Sequence, residues 1–216
     1  MASHATALTH AWPRWAPLAV FAVGCALATA GLHLVQAMVG PDPALIGLYR
    51  FGPALGVGLL FLVFAGHHHR PQLATDQSFT WRTPVMAVVS IAIGAAIVVI
   101  AMAAHEVLTG NRVLILDSAH PLALLIAVQL IGALGEETAW RAYLQPELEQ
   151  WWRPLPAAIS VGLIWGIWQS LVVHPPLGQA IVFTISTIAL SVVLRGALRF
   201  TRGNYLLVAT LFRATV

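Results

Sequence analysis

The sequence predicts an all-α protein, a polytopic transmembrane helical bundle of about seven spans with its N-terminus in the cytoplasm, and three observations predict it. Hydrophobic residues make up 59% of the 216 and mean hydropathy is +0.82, whereas an ordinary soluble domain is about half apolar. The apolar residues are gathered into separate runs close to the roughly 20 needed to cross a hydrocarbon core of about 30 Å. The runs lack strand-like alternation, and such a backbone in lipid must pair its polar groups within a helix.

The runs fall at about 16–39, 44–65, 84–108, 121–145, 155–173 and 177–198, with an unfinished one from 203 to the end. The first follows a long polar, His-containing leader without a clear cleavage pattern, so it reads as a retained helix and not a signal peptide. Its Cys25 is the one cysteine, which excludes an internal disulfide framework. In the second run, Gly47, Gly52, Gly56 and Gly58 suggest close helix packing. His33 and Arg50 are intramembrane polar groups with a structural or cavity-lining role. His67, His68 and His69 beside Arg70 read as a charged cytoplasmic flank, since three consecutive side chains converge poorly on one metal. His105 and Glu106 lie near the outer end of the third run. The expected organisation is one membrane domain, with N-terminal transmembrane helices over 1–120 and a core over 121–216.

Orientation follows from the arginines, which supply all eleven basic residues. Arg14, Arg70, Arg82, Arg153, Arg195, Arg199 and Arg202 fall on the side shared by the N-terminus, and only Arg112 falls in a loop on the other. That bias places the N-terminus inside, in a multi-pass protein of the plasma (inner) membrane, and a bacterial source is expected. Trp12, Trp15, Trp81, Trp151 and Trp152 form an interfacial belt near the same ends. The net charge of +3 is thereby explained by orientation. No basic recognition helix or aromatic-interleaved patch supports nucleic-acid binding, so the expected surroundings are membrane lipid. A transporter is disfavoured because neither repeats nor paired interrupted helices occur.

Within this apolar chain, "GEETAWRAYLQP" packs Glu136, Glu137 and Arg141 into one short stretch. Intramembrane charge is costly, so such residues face a partner or a wet cavity. Glu137 and Arg141 are four apart, a favourable pairing on one helix face, whereas Glu136 points about 100° away. A carboxylate beside a second one, and partly desolvated, holds a proton more readily and can take one from water. A second reading stays open, because paired charges at a span end also anchor a helix at the interface.

"EETAWR" followed by "AYLQPEL", then "GLIWGIWQS", then "GNYLLVATLFRATV", resembles the CPBP family of intramembrane proteases, the type II CAAX prenyl endopeptidases and their bacteriocin-processing and self-immunity relatives. The resemblance covers about Pro121 to Val216. It implies an endopeptidase with neither cofactor nor metal, acting on a membrane-tethered or prenylated peptide. By the EExxxR motif, Glu136 activates water while Glu137 and Arg141 support it. The FxxxH motif falls on Trp165 to Gln169, with glutamine in place of the catalytic histidine. The HxxxN motif puts Arg213 at a second histidine, and Val216 stands one residue before the oxyanion-stabilising asparagine is due, so the core is expected to be C-terminally incomplete. Ala142 stands where the family commonly has glycine.

Helical rise puts Glu136, Gln169 and Arg213 about 15, 21 and 15 Å from the cytoplasmic ends of their helices, so they can share one level. His174, five residues after Gln169 and about 140° around the helix, is a poor substitute for the missing histidine. Glutamine does not gain a proton near neutral pH, and a guanidinium beside Glu136 makes it a poorer base. Arg213 is therefore expected within about 4 Å of Glu136, in a weakened or inactive hydrolase. The alternative is a non-catalytic binding or self-immunity protein that uses the same cavity.

Overall fold

The computed structural model describes residues 12–40, 46–66, 71–74, 78–110, 120–201 and 204–216. Among them all regular structure is helical, as the sequence predicts: α1 (Ala16–Val39), α2 (Gly52–Val63), α3 (Arg82–Thr109), α4 (Leu122–Glu137), α5 (Gln145–Glu149), α6 (Pro154–Val173), α7 (Leu177–Thr201) and α8 (Tyr205–Thr215). Five continuous stretches are long and apolar enough to span: Ala16–Val39, Arg82–Val107, Leu122–Glu149, Pro154–Val173 and Leu177–Thr201. The chain is a membrane protein with two shorter apolar helices, Leu48–Val63 and Tyr205–Thr215, added to those five.

Two of the expected runs differ in detail. The second begins as a 3₁₀ turn, Leu48–Phe51, before α2. Pro53 has no N–H to return to the Tyr49 carbonyl, and the Gly52 N–H takes that carbonyl with 3₁₀ spacing. The fourth runs past 145 to Glu149 because a π-helical segment, Thr138–Leu144, joins α4 to α5 without a break. Pro146 brings no N–H to the Ala142 carbonyl four residues back. That oxygen instead accepts the Ala74 N–H at 2.7 Å, which ties the segment after α2 to this helix.

α1 packs along α2, α6 along α7, and α8 lies against both α3 and α4. Small residues set the closeness of the first two pairs. A Cβ on Gly56 would sit 2.7 Å from the backbone nitrogen of Cys25, and one on Gly162 would sit 2.5 Å from the Ile188 Cα. Gly58, by contrast, faces open space, so the packing role expected of the second-run glycines belongs to Gly52 and Gly56. The Thr187 hydroxyl also donates to the Gly162 carbonyl at 2.9 Å across the α6–α7 seam. One core gathers Phe21, Leu60, Phe64, Trp140, Tyr143, Val161 and Trp165, and a second gathers Leu194, Leu198, Val208, Ala209 and Phe212. Apolar side chains such as Val88, Ile100 and Leu171 point outward, where lipid tails would meet them.

Five of the seven arginines assigned to the N-terminal side lie at one end of the bundle. There Trp12 meets Phe64 edge to face, Thr80 donates to the Thr201 carbonyl, and Arg195 grips Glu149. Arg14, Arg82, Arg153, Arg195 and Arg199 occupy these helix ends. Arg70, Arg112, Arg202 and the run His67, His68 and His69 lie outside the described residues.

Candidate functional site

The site is built on the continuous helix from Leu122 to Glu149. Glu136 and Glu137 close α4, both 0% exposed, and Arg141 follows on the π-helical segment at 5%. Burying a carboxylate is very costly unless charged donors meet it, so the bonds around these oxygens decide the site.

Glu137 finds its donor locally. Its Oε2 accepts from Arg141 Nε at 3.2 Å, while its Oε1 has no partner. Arg141 Nη1 donates to Gln145 Oε1 at 2.9 Å and to Ser191 Oγ at 2.7 Å, and the Ser191 hydroxyl donates in turn to the Ala158 carbonyl at 2.6 Å. Gln145 donates to Glu149 at 3.0 Å, and Arg195 closes the series with two bonds to the Glu149 carboxylate, 2.5 and 3.0 Å. A cavity of about 230 Å³ runs beside this ladder, lined by Ala74, Arg141, Gln145, Glu149, Arg195 and Tyr205 among others.

Glu136 is held from two other elements. Arg50, on the 3₁₀ turn before α2, donates from Nε to Oε1 at 2.7 Å. Arg213, on α8, donates from Nη2 to Oε2 at 3.1 Å. The expected Glu136–Arg213 pair is therefore present. Arg50 Nη1 also reaches Gln129 Oε1 at 2.7 Å, and its guanidinium lies in the space above Gly132, where a Cβ would meet Cζ at 2.8 Å. The Arg213 guanidinium stands 4.9 Å over the Trp165 ring, within cation–π range.

Glu136, Glu137, Arg141, Trp165 and Arg213 thus share one cluster. Gln169 does not bond to it: its Oε1 has no partner, and the residue lines a separate, largely apolar cavity of about 520 Å³ with Ser170, Val182 and Phe183, between α6 and α7. Among the described residues no three His, Cys, Asp or Glu side chains come together as a metal site would require.

Residues 118–216 match the family model "Rce1-like: Type II CAAX prenyl endopeptidase Rce1-like". Over these residues, somewhat under half of the 216, the chain is similar to the type II CAAX prenyl endopeptidases. No curated protein matches the chain closely enough to count as a relative. Glu136, Glu137, Arg141, Trp165, Gln169 and Arg213 all lie within the matched CAAX-type segment, and Arg50 lies outside it.

Sequence reasoning named Arg50 as an intramembrane polar group without a partner to assign. The signal was its presence in an apolar run, which demands a counter-ion, but nothing local pointed to Glu136 across 86 residues. Gln129, Gly132 and Ser191 were missed altogether, because one amide, one glycine or one hydroxyl in a span carries no distinctive pattern.

Proposed function

We propose that this chain, similar over its C-terminal part to CAAX-type proteases, binds a membrane-tethered peptide near the Glu136 cluster and hydrolyses it poorly or not at all. The observation that carries the reading is the double arginine clamp: each Glu136 oxygen already holds a charged donor. A base must direct a lone pair at water, and both Glu136 oxygens already accept a hydrogen bond from a guanidinium. Gln169 removes the imidazole that would exchange a proton, and Arg213 occupies the second histidine position. The setting we infer is a bacterial inner membrane with the N-terminus in the cytoplasm. A reporter fused after Gly66 then labels as cytoplasmic and one fused after His120 as external; reversed labelling defeats the orientation.

The catalytic reading is tested with a prenylated or membrane-anchored peptide and the purified full chain. The unchanged protein should leave the peptide intact, whereas Gln169→His with Arg213→His should raise cleavage by about 10²–10⁴, the usual worth of such groups. Glu136→Gln should then abolish the gain. Brisk cleavage by the unchanged protein sinks the proposal. One observation favours a second reading, in which Glu137 is the base: its Oε1 is unpartnered. In that case any cleavage by the unchanged protein disappears with Glu137→Gln and survives Glu136→Gln.

A further inference from the structure

We propose that the cavity between the residues leading into α1 and the end of α5 binds the headgroup of one phosphatidylethanolamine molecule, whether or not the Glu136 cluster cuts a peptide. The cavity measures about 660 Å³, within the usual range for small-ligand sites, and Trp12, Arg14, Phe64, Glu147, Gln150 and Trp151 are among the residues that line it. None of these side chains takes part in the Glu136 clamp or the Glu137 ladder, so the site is separate from both.

The first argument is depth. Trp12 and Arg14 come just before α1, and Glu147, Gln150 and Trp151 come at the end of the spanning stretch Leu122–Glu149. Trp12 and Trp151 stay 47% and 42% exposed at this level, as indoles do where hydrocarbon gives way to water. A cavity placed there borders on lipid headgroups, which are its most concentrated neighbours.

The second argument is charge. The cavity carries one exposed cation, Arg14, and one half-buried acid, Glu147, and neither enters any of the ion pairs among the described residues. Two opposite charges that share a space without meeting suit a ligand that carries both signs. Arginine is the better partner for a phosphate. At Glu147, Oε2 accepts from Gln150 Nε2 at 3.1 Å, which leaves the other carboxylate oxygen and the Gln150 carbonyl as acceptors. Two acceptors call for a cation with several N–H groups, and the indoles in the same lining add cation–π attraction.

These features select among lipids. A phosphate linked through a short chain to a primary ammonium, on an apolar tail, is phosphatidylethanolamine. A choline head brings no N–H to the two acceptors, and a glycerol head brings no cation to Glu147.

The purified full chain in delipidated micelles is titrated with phosphatidylethanolamine, phosphatidylcholine and phosphatidylglycerol of identical acyl chains, and bound lipid is counted by native mass spectrometry. The ethanolamine lipid should bind about tenfold more tightly than either of the others. Arg14→Gln should weaken its binding by about the same factor. Glu147→Gln should do so too, while leaving the glycerol lipid unchanged, so that the preference disappears. Equal binding of the three lipids overturns the site, and so does a preference that survives Glu147→Gln. Water-soluble glycerophosphoethanolamine competing as well as the intact lipid overturns the assignment to a membrane lipid. The three-lipid comparison needs only the unchanged chain, so it decides the matter even if a variant fails to fold.

Discussion

Glu136 and Glu137 are sequence neighbours and equally buried, yet they are held by different kinds of contact. Glu137 heads a ladder whose next three members, Arg141, Gln145 and Glu149, follow at four-residue steps on one continuous helix, with Arg195 of α7 at its foot. Glu136 takes its charged donors from residues 86 and 77 positions away. The ladder forms with its helix, whereas the clamp exists only once α8 and the turn before α2 have closed on α4. The contrast separates a local scaffold from a tertiary device that can be changed without dismantling the helix that carries it.

The most damaging single change should be Arg141→Ala. It strands Glu137 in a dry site and removes donors to Gln145 and Ser191, and breaking a buried pair from one side costs about 3–5 kcal/mol. Reversible unfolding in mixed micelles measures this. A near-normal midpoint would mean that the ladder does not stabilise the bundle.

Gly132→Ala aims at the clamp alone. The three atoms nearest the new Cβ all belong to the tip of the Arg50 side chain, so the guanidinium has to shift against Glu136 at a cost of about 1–3 kcal/mol. The cost should vanish in an Arg50→Gln background, because the two sites share one contact. Additive losses in that double-mutant cycle would show that Gly132 matters for another reason.

The smallest effect belongs to the foot of the ladder. Arg195 and Glu149 side chains are 27% and 24% exposed, so Arg195→Ala should cost no more than about 1 kcal/mol and less still at high salt. A loss comparable to that of Arg141→Ala would turn the comparison around, making the ladder stronger at its wet end than at its dry one.

Much of this was legible beforehand, and the reason is local spacing. Long apolar runs gave the five full spans, and the four-residue interval gave Glu137–Arg141. Glu136–Arg213 was also reached, through motif resemblance and matched helical depths, a tertiary contact that spacing alone does not supply. What stayed hidden depends on through-space neighbours. Arg50 announced a need for a counter-ion without naming it, and Gly132 made room for that side chain with no mark in the sequence. The π-helical segment was invisible because its residues, Thr138 to Leu144, favour an ordinary helix, and Pro146 alone hinted at a disturbance.

The bond from the Ala74 N–H to the Ala142 carbonyl bears on how the protein is made. Its partners are 68 residues apart in the chain (142 − 74), so during synthesis the donor emerges first and waits for its acceptor. The bond joins main-chain atoms, so exchanging either alanine side chain leaves both groups in place. A ribosome-stalled chain ending before Ala142 should therefore carry an unlatched N-terminal hairpin, exposed to proteases at the segment after α2. Emergence of the Glu136 helix would then do two jobs at once, delivering the buried acid and fastening the hairpin that brought Arg50 to meet it.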